Sequence, residues 1–540
     1  MAQVEFPYGR APFWILVLAL LSGSIILVTR ERPTGPPPDL ECTTFAKPHW
    51  ESYHAVLPEF EKERGVRVEF LEVLTQAQNE RLQAALQAGA KVPDVVEIGA
   101  DAMAVFARGP IEDIGFVDLT ERIKSEGIDK RMVDSRFSLW SSRGHIFGLP
   151  HDVHPTGLAY RRDIVEQLGI DVSKIETWDD FARIGREVTK DLDGDGNPDR
   201  YMIDLPSEGG YALTLLCLQR SGIGPFDAEG HLIMNNEEVV EVIDWYIHQS
   251  RDRFEGKKKV AQGISFPAGD GQGLSETMTS GLVLFYFCPD WRTELFEQDV
   301  PGLSGKMALM PLPAWKPGGR RVSTWGGTGL FITKQCKNPD LAWDLAKFLY
   351  LKKEDLAKRF LKTGIIPPVS DAWDLPEFDT PNPFFSNQPV GRILAELAPS
   401  VPANFTTPYT ALADQKLTET FLNSCLYYQK KGDAGLREYI RAELKRNCDY
   451  IQRVMDRNVF LNEEPVAAPA SPATEAQPRA PGPVAPPSAA PTACVCTPRR
   501  GCFLPPTWCS RSSSSSTRSS VPSSWRSTKP TAPPAAFLSG

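Results

Sequence analysis

Between Leu40 and Ile98 the chain alternates strand patterns with helix patterns, and this alternation restricts its fold more than any other feature of the 540 residues. Leu40-Glu-Cys-Thr-Thr-Phe reads as a buried strand. Trp50, Tyr53, Leu57 and Phe60 recur at helical spacing, and Val66, Val68 and Phe70 then alternate with Arg67 and Glu69 as the next strand. Leu82, Ala85 and Leu86 mark a second helix, and Pro93 introduces the apolar strand 94–98. Strands separated by helices pair in parallel, which predicts an α/β sheet. Ligands of such sheets sit beyond the carboxyl ends of the strands. Five loops are singled out on that ground: 46–50, 99–103, 151–155, 288–291 and 325–328. The α/β texture continues to about Phe460, and the length implies two or three domains. No internal repeat is visible.

Composition is that of a folded body, 41% apolar and 24% charged. From Pro465 it collapses to Ala, Pro, Ser and Thr, which cannot bury a core, so 461–540 is expected to be disordered. After about Ala493 it shifts again, to Cys, Arg and a serine run, as GC-rich DNA read in the wrong frame would. Net charge is −9. The tail holds seven basic residues and one acid, Glu475, which leaves about −15 on the rest. So acidic a body has no electrostatic footprint for phosphate backbones, which excludes nucleic acid as a partner. Of ten cysteines four lie in the tail, and the six in the body form neither a metal-type C-x-x-C nor a disulfide framework.

After a short segment, 1–10, the run 11–29 is apolar apart from small residues and is flanked by Arg10, Arg30 and Arg32. Its length is at the lower limit for a bilayer span. No small-x-small cleavage site follows, and the residues before Cys42 are no lipoprotein box. An uncleaved, single-pass transmembrane anchor is expected, then a linker at 30–39. Arginine placement does not favour the orientation with the body outside; only the nature of the body does.

Several segments carry a family resemblance. They are Pro93-Asp-Val-Val-Glu-Ile-Gly99, Phe116-Val-Asp-Leu-Thr120, Gly148-Leu-Pro-His-Asp-Val-His-Pro155 and Tyr160-Arg-Arg-Asp163. Thr177-Trp-Asp-Asp-Phe181, the Asp-Gly run at 191–199, Met310-Pro-Leu-Pro313 and Ser323-Thr-Trp-Gly-Gly-Thr-Gly329 continue the pattern. In order and spacing across about 40–460 they resemble family 1 extracellular solute-binding proteins of ABC importers, the maltose-binding-protein-like sugar type. The resemblance implies a two-lobed periplasmic-binding-protein fold with several hinge crossovers. Lobe one would comprise 40–153 and 316–362, and lobe two 154–315 and the C-terminal helices of 363–460. It also implies a binding domain on the periplasmic side, which with the N-terminal anchor makes an inner-membrane protein, and it implies a carbohydrate ligand, an oligosaccharide by expectation, and permease subunits as partners.

Sugars offer hydroxyls to planar acceptors and weakly apolar ring faces to aromatic rings. Trp325, followed by Gly326 and Gly327, suits that chemistry best, because glycine permits close approach of a ligand to the main chain. The competing reading is a core tryptophan beside a bulge. His151 and Asp152, where the chain passes between lobes, are further candidates, against an ordinary hinge hydrogen bond. Asp290 and Trp291 follow an apolar strand, Asp101 follows another, and His49 and Trp50 open the first helix. Trp178, behind a Thr177 cap, reads as structural, and Cys288 as a packing residue.

Asp191, Asp193, Asp195 and Asp199, with the carbonyl of Asn197 and Gly196 between, reproduce most of a calcium-binding EF-hand loop. Met202 stands where the bidentate glutamate would be, with Asp204 the nearest spare carboxylate. The chain requires no cofactor otherwise. As an enzyme it would be a glycoside hydrolase using Asp101 and Asp152, but no catalytic motif is present, so a binding role is expected. Zinc on His151 and His154 is disfavoured by Pro155. A membrane-tethered sugar sensor is the other alternative to an importer.

Overall fold

The computed structural model describes residues 11–29, 37–255 and 258–458. Helix α1 (Ala11–Thr29) comes first, its described side chains at 13–24, with Phe13, Trp14, Ile15 and Leu16 exposed. Among the described residues no helix is long and apolar enough to cross a membrane. Segment 1–10, most of the linker and the tail from 459, with its expected disorder and change of frame, lie outside the described residues.

From residue 40 the expected alternation appears as β1 (Leu40–Thr44), α2 (Lys47–Arg64), β2 (Val68–Glu72), α3 (Thr75–Ala88), β3 (Val95–Gly99) and α4 (Ala100–Phe106). Tyr53, Leu57 and Phe60 of α2 are buried, as their spacing predicts, and Pro48 sits in the first turn, where it breaks no helical hydrogen bond. Gly65 ends α2 in the left-handed conformation that only glycine adopts without strain. Next come β4 (Gly148–Pro150), β5 (Pro155–Arg161), α5 (Trp178–Val188), β6 (Tyr201–Asp204), α6 (Gly210–Ser221) and α7 (Glu237–Ser250). The chain continues through β7 (Ser265–Phe266), β8 (Val283–Pro289), α8 (Asp290–Asp299), β9 (Met307–Met310), β10 (Ser323–Thr324) and β11 (Thr328–Ile332). It closes with α9 (Pro339–Leu351), α10 (Lys353–Thr363), α11 (Thr410–Lys431) and α12 (Leu436–Met455).

These strands form two sheets. The first has the order β2-β1-β3-β11-β4, with β1 parallel to its neighbours and β11 antiparallel to β3 and β4. The second runs β7-β6-β8-β5-β9, with β10 beside β5. Each sheet anchors its own core. Trp343 of α9 packs with β1 and β11 in the first lobe, and Trp178 of α5 packs with β6 and β8 in the second. The chain passes between lobes at 151–154 and again at 325–327, later than the expected residue 316. Ser323 and Thr324 still pair with Thr156 and Pro155 of β5, which holds them in lobe two. A third passage falls in α10, whose Leu356 joins the core of lobe one and whose Ala357 and Phe360 join that of lobe two. Helices α11 and α12 pack in the core of lobe two.

Candidate functional site

A cleft of about 990 Å³ lies between the lobes, and all five loops singled out in the sequence reach it. Its aromatic wall is built by lobe two. Trp325 stacks on Tyr211 with ring centroids 3.8 Å apart and planes 3° from parallel. Trp291 meets the same indole edge-on at 5.2 Å and donates its Nε1–H to the Trp325 carbonyl at 3.0 Å. The Arg292 guanidinium lies 5.0 Å from the Trp325 ring centroid. Trp325 is therefore no free-standing indole. It is half-buried, one face is covered, and it packs against the core of lobe two.

Gly326 and Gly327 line the cleft, at φ of 100° and 155°. A Cβ on Gly327 would approach Leu139 Cδ1 to 2.8 Å and Arg136 Nη2 to 2.9 Å. Lobe one contributes Asp101, exposed in the first turn of α4, and the edge of His49, otherwise buried.

Four expected contacts belong elsewhere. Asp152 is 1% exposed. Its Oδ2 accepts the Thr328 backbone N–H at 2.9 Å and lies 3.1 Å from His154 Nε2 and 3.3 Å from His151 Nδ1. Its Oδ1 faces Arg136 Nη2 at 3.4 Å. With both oxygens engaged, Asp152 ties the two crossings together rather than reaching a ligand. Asp290 is fully buried, accepting from His154 Nδ1 at 2.6 Å and from the Ile366 N–H at 2.7 Å. His151 packs against His49 with ring centroids 4.0 Å apart and planes tilted by 35°, and points Nε2 at Arg359. Trp50 donates to the Phe70 carbonyl at 3.0 Å and packs on the core of lobe one.

These groups form one buried polar chain across the hinge. His154 presents a ring nitrogen to each of two carboxylates, so both nitrogens donate and the ring is an imidazolium. Burial opposes that charge, yet Asp152 and Asp290 raise its pKa to about 9. His151 goes the other way, to about 4, through burial and the neighbouring His49. Glu97 accepts hydrogen bonds from Thr44, Tyr53 and Tyr350 and lies 3.2 Å from His49 Nδ1. Burial would raise its pKa, but His49 and these donors hold it at about 2. His49, Glu97 and His151 have ligand atoms close enough for a metal. Glu97 is already saturated with donors and Arg359 stands beside the group, so the cluster does not fit a cation.

The sequence pattern described as bacterial extracellular solute-binding protein matches residues 48–355, more than half of the chain. The chain belongs to that family. Over 352 residues this solute-binding protein is 28% identical to the arabinooligosaccharide-binding protein of Halalkalibacterium halodurans, covering 64% of this chain and 74% of that one. To the arabinooligosaccharide-binding protein of Bacillus subtilis it is 26% identical over 446 residues, 80% of this chain and 98% of that one. The sugar-binding protein MalE from Xanthomonas citri shares the fold, with a TM-score of 0.60 at 19% identity over 77% of this chain and 99% of the other. The family consists of binding proteins, not enzymes, and its members work outside the cytoplasm.

Several lining residues of this solute-binding protein were not anticipated. Tyr211 follows Gly209-Gly210 at the start of α6, and that glycine pair after a strand was a usable signal. Glu294 and Gln298, one turn apart on α8, and Asn404 and Asp414 near and on α11 carried none. Trp178 is structural as expected, 1% exposed, behind a complete Thr177–Asp180 capping box, with its indole N–H on Gln219. Cys288 is buried, and burial raises its thiol pKa.

The loop at 191–199 is exposed, and carboxylate oxygens of Asp191, Asp193 and Asp195 lie within 4.8 Å of one another. Asp199 accepts the Leu192 N–H at 2.6 Å. Asp204 is not available to this loop. It accepts from Ala268 N–H and Tyr211 O–H at the far end of β6, and burial raises its pKa to about 6.

Proposed function

We propose that this solute-binding protein receives a carbohydrate in the inter-lobe cleft, closes over it and delivers it to the permease subunits of an ABC importer. The observation that carries this reading is the fixed aromatic wall of Tyr211, Trp325 and Trp291, with Glu294 on the same helix as Trp291, set opposite Asp101 and His49 of lobe one across the gap between two hinged lobes. Rings stack on the wall, and hydroxyls bond to the polar rim and to the main chain at Gly326 and Gly327. The volume is at the top of the roughly 300–1,000 Å³ range of small-molecule sites, which favours an oligosaccharide. The two relatives named for arabino-oligosaccharides make those the first ligands to try. Hydrolysis by Asp101 with Asp152 is disfavoured, because Asp152 is sealed in the hinge.

Two further parts of the reading stand on less of the molecule. Exposed apolar side chains on α1, between Arg10 and Arg30, support a tether that holds the binding domain at the outer face of the inner membrane. The convergence of Asp191, Asp193 and Asp195 supports a structural calcium ion, with Asp199 and the Asn197 carbonyl completing the donor set.

A thermal-shift screen against arabinotriose, lactose and maltotriose tests the central claim, since a ligand that binds only the folded state raises its apparent stability. An unmoved melting curve with all three, confirmed by calorimetry, would sink it.

A further inference from the structure

Behind the cleft lies a second, smaller recess between α6, the segment 223–236 and α11. It shares Thr214, Leu218, Asn404 and Asp414 with the cleft wall, so it adjoins the space a ligand would occupy. Its volume, about 30 Å³, is that of one water in the liquid. It has room for a hydroxymethyl or aminomethyl group but not for a ring.

Asn236 in the lining accepts from the Val239 N–H and donates to the Ile233 carbonyl, but other lining groups lack such partners. Ser221 Oγ and Asn404 Oδ1 are buried without a hydrogen bond. Asp414 makes no hydrogen bond or ion pair among the described residues, and burial alone pushes its carboxyl up to about 6. Unpartnered buried polar atoms are costly and uncommon, so a recess that brings two of them beside an unpaired, half-buried carboxylate is built for something they can bond. A carboxylate and an amide oxygen accept, and a hydroxyl can do so, which makes the missing partner a donor. The main cleft adds Asp101 and Glu294, no lysine or arginine is among its described lining residues, and the His154 imidazolium in that lining has both ring nitrogens turned to Asp152 and Asp290. The nearby Arg136 is engaged with Asp152 and the Gly326 carbonyl, and Arg292 with the Phe287 carbonyl.

We propose that Ser221, Asn404 and Asp414 form a subsite for one exocyclic donor group of the sugar, and that the cleft accepts neutral or amino sugars while excluding uronates. This rests on the carbohydrate reading above and narrows its ligand class.

The test uses the full chain and calorimetry. The probe is whichever of arabinotriose, lactose and maltotriose binds, together with derivatives whose primary hydroxymethyl is oxidised to carboxylate or converted to aminomethyl. The carboxylate derivative should bind at least about tenfold more weakly than the parent, and the amine at least as tightly. Asp414→Asn should weaken the parent sugar about tenfold or more and narrow the gap between derivatives. The ligand-free melting temperature should hold or rise, because an unpaired, partly desolvated carboxylate has been removed. Ser221→Ala serves where Asp414→Asn does not fold, with a smaller loss of affinity. A neutral sugar that binds Asp414→Asn and Ser221→Ala as it binds the parent protein overturns the subsite. A carboxylate derivative that binds as well as the neutral sugar overturns the exclusion. Binding of no sugar at all overturns the carbohydrate reading, and this inference with it.

Discussion

Trp325 sits face to face on Tyr211, so its removal would strip a ligand platform and a packing contact together. Covering roughly 100 Å² of indole with a sugar ring contributes about 2.5 kcal/mol at about 25 cal/mol per Å², or some 50-fold in affinity. Trp325→Ala is expected to weaken sugar binding by about that factor and also to lower the melting temperature. Tyr211→Ala should do both as well. Trp178→Ala should cost about 3–5 kcal/mol of stability while the folded fraction binds normally. Melts and calorimetry on the three variants separate these outcomes, and normal binding by Trp325→Ala would move the site elsewhere. Gly327→Ala should be poorly tolerated in the folding equilibrium, given the two side chains that a Cβ would meet. Trp178 was legible because its cap and its spacing are local. Asp152 was not, because proximity to a strand end does not reveal which way a carboxylate turns. Its partners Arg136, His154 and Thr328 come from three segments that only the folded chain brings together.

Among the elements, the crossing at 151–154 is the most heavily charged. His154 lies at φ of 54°, unusual for a residue with a side chain, and the carboxylates on either side of its ring hold it there. Its folded pKa of about 9 exceeds the ordinary 6.5, so its stabilising effect is full below pH 6.5 and is lost as pH rises through 9. His154→Gln leaves two buried acids without their shared cation and should cost about 3–5 kcal/mol near pH 6. The difference from wild type should shrink between pH 6.5 and 9. Denaturant titrations across that range decide it, and a pH-independent difference would contradict the imidazolium assignment. Glu97, held at about 2 against an ordinary 4.5, contributes stability that is lost as pH falls through that interval. In the acidic loop, chelation of calcium should lower the melting temperature, and Asp193→Ala with Asp195→Ala should abolish the response. Equal melts in calcium and chelator would remove the ion from the account. The loop's outline was readable from its spacing, but the role of Asp204 was not, because Tyr211 and Ala268 claim that carboxylate from outside the motif.

At the scale of the whole molecule, a chain that crosses three times between two lobes is built to close as a hinge. Solution scattering should record a smaller radius of gyration on addition of a binding sugar, and an unchanged profile would argue for a preformed, rigid cleft. The α/β alternation was legible because strand and helix periods are local, whereas the two-lobed plan came only with the family resemblance that the ordered motifs carry. The return crossing was placed too early because a two-residue strand, Ser323–Thr324, gives no periodic signal. Asn404 and Asp414 were invisible for a different reason, since nothing in a lone asparagine or a lone aspartate on a helix announces a cavity.

The separation of hinge from cleft has an engineering consequence. The charged crossing is a closed set in which each member satisfies another, so a substitution there unbalances a dry interior. Tyr211, Glu294, Asn404 and Asp414 face the cleft from separate segments, and Glu294 and Asp414 have few obligations to the rest of the molecule. A designer wishing to change what the receptor recognises can redraft that lining position by position while leaving the moving parts untouched.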